Sequence, residues 1–234
     1  MSEMSSPEKP AGKAEDFIDV FVSPAELFRR RADGKFGLAL VLLVIATAVL
    51  YFLTKGAMDP LYEAEFARNM PSQNLPPEQL ETARRMAGIF GGIAVIVITP
   101  IAVLILGAVV MLVGRGVGAR ISYAQGATIA TFAAFPRLLG FVAGGIQALL
   151  MDPASLTSMS RVSLGLARFL DPATTSGAIM ALGMRFELFT LWATLLIGIG
   201  LREMGRIAGG SAMGAAVIVW ILGAVPTVLG AMFR

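Results

Sequence analysis

Arg137 and Glu187 are the residues to explain first, because each is a charge set inside a long apolar stretch. A lone charge in the hydrocarbon core of a membrane costs several kcal/mol, so such residues pair with one another or line a polar pathway. At about 1.5 Å per helical residue, Arg137 lies about 16 Å and Glu187 about 21 Å from the same end of their apolar segments. An arginine side chain can span that difference, so the spacing predicts an Arg137–Glu187 ion pair. The pair has two readings: structural glue that fixes helix register, and a transport or gating site. The second candidate cluster is Arg29-Arg30-Arg31, directly after Leu27-Phe28. Apolar residues beside a basic run suit a helix at the membrane interface, with the three arginines reaching anionic headgroups. Ser23-Pro24-Ala25-Glu26 has the capping-box pattern that would open this helix. The same arginines also read as the basic flank of a first membrane span.

Other chemistry is excluded by residue type. The chain has no cysteine and no histidine. Disulfides, thiol chemistry, Cys/His metal sites and a Ser–His arrangement are therefore ruled out, and no aspartyl pair stands inside the apolar segments. Gly114-Arg115-Gly116-Val117-Gly118 is glycine-rich, but it has neither dinucleotide nor P-loop spacing and no strand before it, so it reads as a turn. No catalytic residue, metal or cofactor is expected, and an enzyme is the least supported class.

The elements that must carry these residues are set by hydrophobicity. Of 234 residues, 56% are hydrophobic and only 15% charged, against about 25% charged in a soluble domain. About 20 apolar residues cross the hydrocarbon core. On that rule five spans are expected, over 36–54, 87–113, 126–151, 177–201 and 213–233. The fold class is thus an all-α membrane protein, a five-helix bundle with short interfacial helices, formed by residues 15–234 behind a disordered polar tail, 1–14. Arg185 and Glu187 interrupt the fourth span, which begins near Gly177 or, after a short separate helix, near Phe186. Pro100, Pro136 and Pro226 can kink their spans without breaking them. Asp59-Pro60, Asp152-Pro153 and Asp171-Pro172 look like helix starts, and so does Pro76-Pro77-Glu78, running into the second span. The apolar spacing from Leu156 to Leu170 predicts a helix on the outer surface. Glycines four apart, such as Gly140 and Gly144 or Gly210 and Gly214, are expected to let helices approach within the bundle.

Lys and Arg number ten on the side of the N-terminus and eight on the other. The cluster beside the first span decides the orientation. The N-terminus is expected in the cytoplasm and the C-terminus outside a bacterial inner membrane. The net charge of +3 reads as topology, and no basic stripe with exposed aromatics points to nucleic acid. Expected partners are membrane lipids and other membrane or cytoplasmic proteins, with homo-oligomers left open.

Three segments carry a family resemblance. Phe21-Val22-Ser23-Pro24-Ala25-Glu26-Leu27-Phe28-Arg29 resembles the pre-span segment of Yip (Ypt-interacting protein) domain membrane proteins. Gly118-Ala119-Arg120-Ile121-Ser122-Tyr123-Ala124-Gln125, then Ala134-Phe135-Pro136-Arg137-Leu138-Leu139, resembles their second loop and third span. Phe186-Glu187-Leu188-Phe189-Thr190-Leu191-Trp192, then Gly198-Ile199-Gly200-Leu201, resembles their fourth span. The resemblance implies five spans, a cytoplasmic N-terminus and no catalytic residues. Eukaryotic members are associated with Rab-type GTPases and vesicle traffic, a role not transferable to bacteria. The function expected is a non-enzymatic membrane scaffold or adaptor, with a small transporter or channel using Arg137 and Glu187 as the alternative.

Overall fold

Hydrophobic segments in a bilayer must satisfy their backbone groups internally, and helices do so within one segment. In the computed structural model, which describes residues 15–69 and 76–232, the chain accordingly forms nine α-helices among those residues, with no strand. The expected disordered tail and Phe233, the end of the fifth expected span, lie outside the described residues. The all-α bundle is as expected: five segments are long and apolar enough to cross a membrane, Gly37–Arg68, Glu78–Gly116, Tyr123–Leu150, Leu188–Gly205 and Gly209–Ala231.

The helices are α1 (Asp16–Val22), α2 (Pro24–Arg30), α3 (Gly37–Asn69), α4 (Pro77–Gly116), α5 (Tyr123–Ala133), α6 (Pro136–Leu150), α7 (Gly177–Arg185), α8 (Leu188–Gly205) and α9 (Gly209–Met232). Large apolar side chains such as Leu53, Ile98, Ile105 and Ile221 point outward from the spans, as a lipid-facing surface requires. The span formed by α5 and α6 is central, with α5 against α4 and α8, and α6 against α3 and α8.

The tightest approach is between α4 and α5. A Cβ on Gly126 would lie 2.4 Å from the Gly107 carbonyl oxygen, and one on Gly107 would lie 2.7 Å from Ala127 Cα. Glycine at both positions lets the two backbones touch. Of the glycine pairs singled out by spacing, Gly140 lets Phe189 approach, since a Cβ there would lie 3.0 Å from its ring, whereas Gly210 and Gly214 face open space.

Two spans are broken where they pass the middle of the bundle. Pro136 cannot donate a backbone hydrogen bond, so the third span turns at Ala134–Phe135 and restarts with Pro136 at the first position of α6. The fourth expected span is divided at Phe186–Glu187. α7 runs along the C-terminal half of α9, from Gly177 against Ala231 to Arg185 against Trp220 and Gly223, and α8 continues from there. The break is held by an antiparallel bridge to the loop between α6 and α7. Leu166 N–H donates to the Phe186 carbonyl (3.1 Å) and Leu188 N–H to the Leu164 carbonyl (3.1 Å). Gly165 permits this contact, since a Cβ there would sit 2.7 Å from the Phe186 oxygen.

Several local expectations are corrected. α3 runs through Asp59-Pro60 instead of restarting there, because the apolar helix already has its hydrogen-bond ladder and the proline only interrupts it. The loop between α6 and α7, expected to carry a helix on the outer surface, forms no continuous helix over 156–170. It has short 3-10 turns at Pro153–Ser155, Met159–Val162 and Leu166–Phe169, because its backbone bridges to the α7–α8 break. Asp171 caps a turn rather than a helix, accepting from Ala173 N–H at 2.9 Å. Pro77 does open a helix continuous with the second span, as expected. Ser23 makes no side-chain cap. The capping box lies instead at Ser122 and Gln125, whose side chains exchange hydrogen bonds with each other's backbone N–H at 3.2 and 2.8 Å.

Candidate functional site

Two places gather charge, one at the end of the bundle that bears the N-terminal helices and one at its middle. At the first, α1 and α2 fold back on each other and pack on the bundle. Leu27 and Phe28, expected to face lipid, are completely buried. Phe28 meets Phe132 edge-on (6.4 Å between centroids), Phe17 meets Phe135 (5.3 Å) and Phe21 meets Trp192 (5.5 Å). Aromatic side chains of the third span and of α8 take up the apolar sides of α1 and α2, and the outward apolar residues are Ile18 and Val22 of α1.

The three arginines are separated by the same folding. Buried Asp16 accepts from Arg30 Nη2 (2.7 Å) and from Arg31 Nε (2.7 Å) and Nη2. Arg30 Nη2 also reaches Asp19 at 2.5 Å, and these carboxylates, Asp19 foremost, hold its pKa above the ordinary guanidinium value. Two of the three expected lipid contacts are therefore committed to closing α1 on α2. Arg29 remains exposed, 3.9 Å from Glu203. It borders a groove of about 750 Å³ with Arg120, Gln125, Glu203 and Arg206. Glu203 is shared with Arg202 at 2.6 Å, and among the described residues Arg120 and Arg206 have no ion-pair partner. Gln125 Nε2 donates to the Ala32 carbonyl (2.8 Å), tying the end of α2 to the start of α5.

At the middle, the two broken spans bring Arg137 and Glu187 to one cavity of about 370 Å³. They are within electrostatic reach but form no direct ion pair or hydrogen bond. Glu187 is turned to its own helix: its carboxylate accepts from Thr190 N–H (2.8 Å) and the Thr190 hydroxyl (3.1 Å), capping α8. The local rule wins because a helix start inside the membrane leaves N–H groups that no water can satisfy. The sequence reading missed Arg185 as a site residue. Its Nη2 donates to the Trp220 carbonyl at 2.7 Å, its guanidinium lies 5.5 Å from the Trp220 ring centroid, and Trp220 Nε1 returns a bond to the Arg185 carbonyl at 3.3 Å. The signal was present, since Arg185 is a third charge two residues from Glu187.

Arg137, Phe141, Arg185 and Thr190 also wall a second cavity of about 500 Å³ between α3, α4, α8 and α9, lined mainly by apolar side chains. Arg137 is deep in the protein yet accessible, because it opens onto both cavities. Among the described residues no group of three or more Asp or Glu could hold a metal ion. The site gathers two guanidinium groups and one carboxylate.

The Yip1 domain family model matches residues 18–230. Over 219 residues the chain is 26% identical to the membrane protein YknW of Bacillus subtilis (strain 168), covering 91% of this chain and 90% of that protein. No solved structure matches it. With the match running from α1 into the last turns of α9, the chain belongs to the Yip1 domain family of membrane proteins.

Proposed function

We propose that this Yip1-domain protein is a non-enzymatic adaptor in a bacterial inner membrane, and that its cytoplasmic end docks an acidic segment of a partner protein. The observation that carries this reading is the groove beside α2. Arg29, Arg120 and Arg206 border it against a single carboxylate, Glu203, already engaged by Arg202. Its floor is rigid, because α2 is pinned by the Asp16 cluster, by buried Leu27 and Phe28, and by Gln125. A preformed basic groove attracts an acidic segment and loses little entropy on binding it. The N-terminus is cytoplasmic in this reading, following the basic cluster before α3.

The test is site-specific photo-crosslinking in native membranes, with the reactive residue at Ala32 in the groove and, as control, at lipid-facing Val41. A discrete protein adduct at Ala32 that disappears in Arg120→Glu with Arg206→Glu supports docking. An adduct that survives the double charge reversal, or that forms equally at Val41, refutes it. The alternative of a small transporter draws on a separate observation, the two spans broken at the cavity, a geometry that transporters use to expose backbone and charge to substrate. Counterflow of solute in proteoliposomes, abolished by Arg137→Gln, would decide for it.

A further inference from the structure

Independently of the adaptor reading, we propose that the mid-bundle cavity binds one anionic lipid, its phosphate or carboxylate head on Arg137 and Arg185 and its chain in the apolar cavity between α3, α4, α8 and α9. Two guanidinium groups line this cavity with few acceptors. The Arg137 side chain has no hydrogen bond or ion pair among the described residues, and the Arg185 guanidinium has only the Trp220 carbonyl, its buried Nε being without a partner. The one carboxylate at hand, Glu187, spends an oxygen on Thr190. Two guanidinium groups and one carboxylate leave a single uncompensated positive charge inside a membrane protein, where burying it alone is costly.

A monoanion with several acceptor oxygens balances that charge and supplies acceptors to the Arg137 guanidinium, and guanidinium groups bind phosphate and carboxylate with strong charge-assisted bonds. The apolar surroundings select an amphiphile over a free ion. Beyond the two arginines the larger cavity is walled by Leu43, Val103, Ile197 and Val219 with only a few hydroxyls, and its volume of about 500 Å³ suits a chain.

The experiment uses the full chain in neutral maltoside detergent, with binding read by native mass spectrometry and by thermal unfolding. Phosphatidylglycerol is the probe, with phosphatidylcholine of the same chains, oleate and inorganic phosphate as comparators. The expected result is one tightly held phosphatidylglycerol and a raised Tm. Phosphatidylcholine and inorganic phosphate should do neither, and the ranking of oleate tells whether the head is phosphate or carboxylate. Arg137→Gln and Arg185→Gln should each weaken binding about tenfold or more. Glu187→Gln, which keeps an oxygen for Thr190 and removes the competing charge, should tighten it. Equal binding of phosphatidylcholine, an equal effect of inorganic phosphate, or unchanged affinity in both arginine variants would overturn the proposal. Should the arginine variants fail to fold, a phosphatidylglycerol with a photoreactive chain decides on the wild-type protein. Label on Phe141 and Ile197, competed by phosphatidylglycerol but not by phosphatidylcholine, supports the site, and label confined to outward-facing Ile45 and Ile218 refutes it.

Discussion

Asp16 is the residue on which the N-terminal fold turns. It is buried, and its two oxygens are shared by Arg30 and Arg31. Asp16→Asn keeps the shape and removes the charge, leaving both guanidinium groups short of their acceptor. A loss of about 2–3 kcal/mol is expected, from charge-assisted bonds in a partly dry site. Thermal unfolding in detergent and faster trypsin cleavage at Arg30 and Arg31 would report it, and an unchanged cleavage rate would show that the cluster does not hold α1 on α2. Glu187 gives a second prediction at this scale. Because it acts as a helix cap, Glu187→Asn should preserve stability and Glu187→Leu should cost about 1 kcal/mol. Combined with Arg137→Met, the Leu change should be additive within about 0.5 kcal/mol in a double-mutant cycle. A strongly non-additive cycle would restore the direct ion pair that the spacing predicted.

Among elements, the contact of α4 with α5 is the least tolerant of change. Gly126→Ala places a methyl group where the Gly107 carbonyl already lies, 2.4 Å away, so the helices must separate. Overpacking of this kind costs about 1–3 kcal/mol. Gly214→Ala, in the open on α9, removes a poor helix former at no steric cost and should be neutral or stabilising by up to about 1 kcal/mol. Comparing melting temperatures of the two variants separates packing from helix propensity. Equal melting points would mean that glycine at Gly126 is not needed for approach. Spacing alone offered Gly210 and Gly214 on the same footing as Gly140 and Gly144, because a four-residue repeat marks a face of a helix but not whether another helix covers it.

For the whole molecule the expected topology is an odd number of crossings, with the termini on opposite sides. Reporter fusions after Gly118 and Arg206 should read cytoplasmic, and fusions after Arg68 and Met151 should read external. A cytoplasmic C-terminus would mean that α7 and α8 do not together make one crossing. The discontinuity at Phe186–Glu187 makes that span the one to test first, since α8 alone has 18 residues, near the minimum for the hydrocarbon core.

Sequence by itself determined the class and the number of helices long and apolar enough to cross, because the bilayer imposes a length and a composition that any spanning helix must meet, whatever its neighbours. It also picked out Arg137, Glu187 and Arg29 to Arg31 as residues of consequence, since charge next to long apolar runs is costly wherever the chain goes. Only the tertiary structure decided their partners. Arg30 and Arg31 found Asp16 because α1 folds back on α2, Glu187 turned to Thr190 because α8 begins there, and Arg185 joined Arg137 because two spans break at the same level. Partner choice depends on distances between segments far apart in the chain and on which neighbour satisfies each polar group most cheaply. Helical periodicity holds no record of either.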